Sequence, residues 1–316
     1  MKTYLGIDGG GTKTKFILCG ANGETLAEVT RPTCHYMQAG GLAGVTQVLA
    51  EGVEAALREA GIKPEDVAAA FIGLPGYGDV ETDKPMLARA VDDAMGAIPH
   101  WIGNDSENSL AGTLAGACGI SLICGTGSIA CGRNAAGDVL RCGGWHYAIG
   151  SDEGSGYWIG VELLRLFTRQ SDGRDARTPL YEAIRSKLEL RADGDVITRV
   201  VEEWALDRTK IAALSRLLGE LCEKGDPNAA RILDRAASEL TDMAAALYRR
   251  LGFSGEVPVS YSGGVFNIGA PILEPLAKKL GALNMALRAP KLPPDKGAVV
   301  LAFQHDNAPI PEGLMA

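Results

Sequence analysis

The stretch from Tyr4 to Leu18, YLGIDGGGTKTKFIL, sets three consecutive glycines, Gly9 to Gly11, between two apolar runs. The residues after Gly11 decide which architecture these glycines serve. A P-loop needs glycine, four residues, glycine, then Lys and Ser or Thr, so that the lysine bends back onto the phosphates. Gly6 and Gly11 have that separation, but Thr12 and Lys13 stand in the reverse order. A dinucleotide-binding turn needs a third glycine three residues beyond Gly11, and that position is Thr14. Beyond the turn, Thr12, Thr14, Phe16 and Leu18 alternate with Lys13, Lys15 and Ile17, mostly a strand period of two. The segment therefore predicts strand, glycine turn, strand: a β-hairpin.

A glycine-rich hairpin can still cradle phosphate, because residues without Cβ let successive backbone N–H groups converge on an anion. Here Thr12 and Thr14 would add hydroxyls, Lys13 or Lys15 a charge, and Asp8 at the end of the first strand a carboxylate for hydrated Mg²⁺. A plain tight turn with an exposed Asp fits this stretch equally well. The motif recurs in altered form at 121–132, SLICGTGSIACG, with the turn Gly125-Thr126-Gly127-Ser128 between apolar strands. Two such hairpins, each opening an α/β half, point to an internal duplication, with both aimed at one phosphate chain in the cleft between lobes.

The rest of the chain fits that frame. GETLAEV reads as a third strand, and Leu42, Val45, Val48, Leu49, Val53, Ala56 and Leu57 form one helical stripe closed by Gly61. VAAAFIGLPG is a buried strand, KPMLARAVDDAMG a helix and HWIGND a strand, which gives helices layered on a sheet. Residues 158–170 and 178–252 read as largely helical, with a break at Gly225-Asp226-Pro227. VPVSYSGGVF returns to a strand ended by Gly263-Gly264, followed by the helix PILEPLAKKLG, the short strand NMALRAP and a last helix, KGAVVLAFQH. At 316 residues the chain suits two domains. The boundary is expected inside continuous structure near 115, giving an N-terminal lobe of 1–114 plus 294–316 and a C-terminal lobe of 115–293 that carries the helical insertion.

A net charge of −8 argues against nucleic acid and anionic membranes as partners, since both demand basic patches, and favours a small-molecule substrate. No apolar run approaches membrane-spanning length, and Met1-Lys2-Thr3 leads straight into a strand-like segment, so a cytoplasmic protein without a signal peptide is expected. Seven cysteines without any C-x-x-C pair read as free thiols, and four scattered histidines give no structural zinc site.

Taken in order, IDGGGTKT, GNDSENSLAG, CGTGS, CGGWHYAIGSDEGSGYWIG and SGGVF resemble the N-acetylglucosamine and glucosamine kinase branch of the sugar kinase/Hsp70/actin superfamily, related to the BadF/BadG-type ATPases. The resemblance spans about the whole chain. Its most specific piece is Gly143-Gly144-Trp145 followed by Asp152-Glu153-Gly154-Ser155. It implies two actin-like, ribonuclease H-like α/β lobes with ATP·Mg²⁺ in the cleft and transfer of the γ-phosphoryl group to a hexosamine, usually at the C6 hydroxyl. By this resemblance Asp105 matches the catalytic aspartate and Asp8 the carboxylate near the metal. Gly10, Gly11, Thr12 and Lys13 match the first phosphate hairpin, Gly125, Thr126 and Gly127 the second, and Gly263 and Gly264 the glycine pair beside the nucleoside. Trp145 and Asp152 fall in segments that contact the sugar in similar enzymes, which are usually homodimers.

Each role has a plainer alternative. Asp105 precedes a helical run, where Asp is a common N-cap. Trp145 can be core or a face stacked on the sugar ring. Asp152 sits in a glycine-bounded turn that suits solvent as well as sugar hydroxyls. Ser128 and Thr126 suit phosphate, sugar or local backbone capping. One departure stands out: where similar kinases carry Asn before His, this chain has Cys34, a poor hydrogen-bonding partner. The preferred sugar is therefore left open, with His35 and Tyr36 as candidate replacements and Ser151 as an extra residue in the sugar loop. The competing enzyme class is an activator ATPase of 2-hydroxyacyl-CoA dehydratases or benzoyl-CoA reductases, which holds an iron–sulfur cluster through closely spaced cysteines. A sugar-sensing regulator would need a DNA-binding helix pair, for which the first strand leaves no room.

Overall fold

The computed structural model describes residues 2–315. The chain opens with β1 (Thr3–Gly9), β2 (Lys13–Gly20) and β3 (Thr25–Pro32). It continues through α1 (Gly41–Ala60), β4 (Val67–Leu74), α2 (Lys84–Met95), β5 (His100–Asn104) and α3 (Asp105–Thr113). A second series begins with β6 (Gly119–Cys124), β7 (Ser128–Arg133) and β8 (Val139–Gly143). Six helices come next: α4 (Gly156–Ser171), α5 (Pro179–Leu188), α6 (Asp195–Ile197), α7 (Arg208–Ala212), α8 (Leu217–Glu223) and α9 (Pro227–Arg250). Then come β9 (Val257–Ser262), α10 (Ala270–Gly281) and β10 (Met285–Leu287), and finally α11 (Pro294–His305) and α12 (Glu312–Met315).

These elements form two compact units, one running to Cys118 and resuming at Ala289, the other spanning Gly119–Arg288. Each holds one five-stranded mixed sheet. The first has the order β3-β2-β1-β4-β5 and the second, read from the matching edge, β8-β7-β6-β9-β10. In both, the first three strands pair antiparallel and the last two join parallel. The two halves thus repeat one topology, as the recurring hairpin motif implies. The strand β8 has no clear signal in the sequence pattern: it is a short edge strand, exposed or half-exposed along its length, with Arg141 at its centre. Residues 178–226 are helical in several short pieces, with a π turn at Thr198–Glu203 and a 3₁₀ turn at Ala213–Arg216, ahead of the 24-residue α9.

Central strands explain the near-continuous apolar runs, since they are covered on both faces. In the first unit Leu5, Ile7, Phe16 and Leu18 pack with α1 and α2 residues such as Val45, Leu49, Val53, Leu87 and Val91. On the other face Tyr4, Ile17 and Cys19 meet Val299, Val300 and Phe303 of α11. Because α11 is buried from Gly297 through Phe303, it is apolar around its circumference. Its approach to α3 requires glycine: a Cβ on Gly297 would run into the carbonyl oxygen of Asn108 and lie 2.5 Å from Gly112 N. In the second unit α4, α5, α8, α9 and α10 build one core over β6 and β9. Among the described residues no helix is long and apolar enough to cross a membrane.

The α3–α11 crossing has a measurable consequence. Gly297→Ala forces two backbones apart and should cost about 1–3 kcal/mol, read as a lower urea midpoint; an unchanged midpoint would show that the crossing relaxes freely.

Candidate active site

In the first unit the β1–β2 turn is closed by the Gly10 N–H donating to the Lys13 carbonyl at 2.9 Å. Gly11 and Thr12 are exposed, and a Cβ on Gly11 would meet nothing within 4 Å, so the backbone there stays open to a ligand. Lys13 is exposed as well. Lys15 is not: its Nζ lies 2.7 Å from Asp295 and 3.1 Å from Glu28, which commits its charge within the fold. The Thr14 hydroxyl is committed too, donating to the Pro32 carbonyl and accepting from Cys34 N–H, each at 2.9 Å. Of the two candidate lysines and two candidate threonines, the structure leaves Lys13 and Thr12 on the outside of the turn.

Asp8 ends β1. The fully buried Asn108 of α3 donates its amide to Asp8 Oδ1 at 2.8 Å and to the Ile7 carbonyl at 3.1 Å. The amide oxygen of Asn108 is buried without a partner among the described residues. Burial pushes the Asp8 carboxyl from its ordinary 3.8 up to about 6, and Asp295 adds to the shift against the opposing pull of Asn108, Lys15 and Lys13.

Asp105 is the first residue of α3, but it is not the cap. Asn104 fills that role: its side chain accepts from Ser106 N–H at 3.1 Å while Glu107 Oε1 accepts from Asn104 N–H at 2.9 Å, a complete capping box. The Asp105 carboxylate is half-buried one helical turn before Asn108. Both Asp105 and Asp8 act on the thiol of Cys34, which burial, first of all, raises to about 11. The two carboxylates thus share one neighbourhood.

Cys34 packs inside the first unit. It is fully buried, and a Cβ on Gly9 would fall 2.7 Å from its Sγ, so the thiol fills space behind the glycine turn and faces no solvent. His35 and Tyr36 stack with ring centroids 5.5 Å apart beside Gly76. The Tyr36 hydroxyl donates to Asp83 at 3.0 Å.

In the second unit the hairpin turn is closed by Gly125 N–H donating to the Gly127 carbonyl at 2.9 Å. A Cβ on Gly125 would meet nothing within 4 Å. The carbonyls of Gly125 and Thr126 accept the first N–H groups of α4, from Gly156 at 2.8 Å and Tyr157 at 3.1 Å, which fixes the turn to that helix. The Ser128 hydroxyl donates to the Glu153 carbonyl at 2.7 Å and so ties the segment around Asp152 to the hairpin. Asp152 is buried, has a left-handed backbone with φ 66°, and pairs with Arg208 of α7. Arg208 was missed by sequence reasoning, and no local signal marks it across the intervening helices.

Trp145 is 74% exposed, so it is not core. Its backbone N–H donates to the Ser151 hydroxyl at 3.3 Å, which gives the extra residue of this loop a bracing role. Trp145, Ile149, Ser151, Glu153, Glu239 and Met243 line a cavity of about 480 Å³. Gly263, with φ 106°, lies so close to the end of β6 that a Cβ would run into the Cys124 carbonyl, while Gly264 opens the following turn in free space.

Because Asp8 holds its proton longer when folded, native stability falls as pH rises from about 4 to 6 and stays lower above that window. Asp8→Asn removes the effect. The two proteins should match near pH 4 and diverge by pH 7, the variant being more stable by roughly 3 kcal/mol in metal-free urea titrations; a pH-independent difference would overturn the assignment.

Comparison with known proteins agrees with this layout. The family model of the BadF/BadG/BcrA/BcrD ATPases matches residues 5–302. An N-acetyl-D-glucosamine kinase of Dictyostelium discoideum is 32% identical over 313 residues, covering 95% of this chain and 97% of the relative. An N-acetylmuramic acid/N-acetylglucosamine kinase of Clostridium acetobutylicum is 34% identical, covering 84% and 86%. A solved structure from Chromobacterium violaceum, described as a candidate N-acetylglucosamine kinase, superposes with a TM-score of 0.74 at 26% identity, covering 96% of this chain and 99% of that one. With the repeated sheet topology and nearly the full length matched, the chain belongs to the BadF/BadG/BcrA/BcrD ATPase family and has the two-lobed fold of actin-like sugar kinases.

Proposed function

We propose that this chain is an ATP-dependent kinase of amino sugars that moves the γ-phosphoryl group of ATP to the C6 hydroxyl of a hexosamine, with Asp105 as general base. The observation that supports the proposal is the shared neighbourhood of two carboxylates in the first unit: Asp105 at the start of α3 and Asp8 at the end of β1 both act on the thiol of Cys34. The names of the relatives, all amino-sugar kinases, set the substrate class.

Phosphoryl transfer asks the protein mainly for aim and for neutralisation of phosphate charge. In this reading Asp105 accepts the proton of the sugar hydroxyl as its oxygen forms the new bond to phosphorus and the bridging bond to ADP breaks. Gly10 to Lys13 and Gly125 to Gly127 bind the phosphates. The open space at Gly11 and Gly125 suits close approach of an anion to backbone N–H groups. Gly263 and Gly264 border the nucleoside. The sugar meets Asp105, Trp145 and Asp152, with His35 and Tyr36 at the edge of the acceptor site and Ser128 holding the loop that presents it.

No cluster of three or more His, Cys, Asp or Glu is found among the described residues, so Mg²⁺ would rest on Asp8 and on ATP oxygens, the usual mode for this ion. The half-buried Asp8 carboxylate, oriented by Asn108, fits such a cation. When bound, Mg²⁺ neutralises phosphate charge.

The cysteines do not support the activator reading: Cys124 is fully buried and donates to the Gly154 carbonyl at 3.1 Å, while Cys118 is exposed. The proposal extends to a cytoplasmic homodimer.

ADP release measured across glucosamine, N-acetylglucosamine, N-acetylmannosamine, glucose and muramic acid derivatives should show strong preference for an amino sugar, with C6 as the phosphorylated position by NMR. Asp105→Asn should lower kcat by about 10² to 10⁴ while ATP binding is kept. Wild-type turnover in that variant would leave Asp105 without a catalytic role.

A further inference from the structure

The sugar loop and the second phosphate hairpin meet at one side chain that neither motif contains. Arg208 begins α7, whose N-cap Asp207 accepts from Thr209 and Lys210 N–H at 2.8 and 2.9 Å. The guanidinium pairs with Asp152 through Nη2 and lies 4.8 Å from the centroid of the Tyr147 ring. Tyr147 in turn meets Tyr157 of α4 edge-on at 4.7 Å. The same Nη2 crowds the turn itself: a Cβ on Gly127 would run into it and would lie 3.0 Å from Asp152 Oδ2. The Nε–H of Arg208 is buried without a partner among the described residues, although part of the side chain reaches solvent. A planar, permanently charged fork can serve carboxylate, ring and turn together, which a lysine cannot.

From this geometry we infer that Arg208 is a positioning residue for the kinase reaction: it holds Asp152 against Gly127, so that the sugar-binding loop and the phosphate hairpin act as one body. The inference rests on the proposed kinase function. Three further contacts make the body rigid. Gly156 and Tyr157 of α4 bond to the hairpin carbonyls, Ser128 bonds to the Glu153 carbonyl, and α7 lies so close to α4 that a Cβ on Gly160 would run into the Ile211 carbonyl. Arg208 adds the side-chain link to the Asp152 carboxylate, which also accepts from the Ser128 N–H at 3.5 Å.

The electrostatics around Asp152 give a readout that packing alone does not. Burial raises its carboxyl, and Arg208 is the largest opposing influence, ahead of the Ser128 N–H and His146; Glu153 pushes in the same direction as burial. The remaining facing group is the buried thiol of Cys124. Removing Arg208 therefore raises the carboxyl further, and a sugar site that needs the ionised form loses activity at higher pH than before.

The experiment is steady-state kinetics of wild type, Arg208→Gln and Arg208→Lys against the best sugar of the panel, over pH 5 to 9, with circular dichroism and thermal melts as fold controls. Arg208→Gln should raise the KM for the sugar about tenfold or more and move the acid limb of kcat/KM upward, and Arg208→Lys should restore the limb but only part of the KM. Folded Arg208→Gln with wild-type KM and an unmoved limb overturns the inference, as does a uniform fall in active protein with the limb in place. Absence of sugar phosphorylation by the wild type would instead overturn the kinase reading, so the two failures are distinct.

Discussion

A carboxylate half-buried at the end of a central strand raises the free energy of the fold unless a cation answers it, and Asp8 stands in that position. Lys15, an ammonium that acts on it, is held between Asp295 and Glu28. The direct partner left for Asp8 is the neutral amide of Asn108. A fold optimised only for stability would place an apolar residue or a paired charge here. In the proposed function a metal–phosphate complex would answer this under-compensated carboxylate, beside a turn that stays open at Gly11.

The second unit solves a different problem with a similar sequence. Gly125 and Gly127 look alike as letters, yet Gly125 faces open space while Gly127 is pressed by the Arg208–Asp152 pair. One glycine leaves room for a ligand, and the other leaves room for the protein. A Gly-Thr-Gly turn therefore reports two constraints at once, and substitution at either position would be expected to fail for separate reasons.

Local patterns carried most of the fold. The hairpins were legible because period-two alternation on either side of a glycine turn has few other meanings, and their recurrence anticipated the repeated sheet order. Either Asn104 or Asp105 can cap a helix by residue type, and only the bonds from Ser106 and to Glu107 assign the cap to Asn104. Cys34 reads from sequence only as a thiol where similar kinases carry Asn; that it packs beneath Gly9 is visible only in the structure. Asn108, Asp295 and Arg208 were invisible for a common reason. Their significance lies in partners that are distant in sequence, at separations of 100, 280 and 56 residues, and no periodicity encodes such pairings.

That distribution reflects how the two kinds of residue are constrained. Glycine turns and apolar stripes satisfy local backbone and burial rules, so each can be recognised in its own window. The groups that orient a functional side chain must instead come from another element, since a side chain cannot brace itself. Asn108 reaches Asp8 from α3, and Arg208 reaches Asp152 from α7. Because each brace enters from a helix whose own position is fixed by close contact, α3 against Gly297 of α11 and α7 against Gly160 of α4, the geometry of both carboxylates depends on two small residues far from either one. Helix spacing set by glycine is thus the means by which the core of each unit dictates where its carboxylate stands.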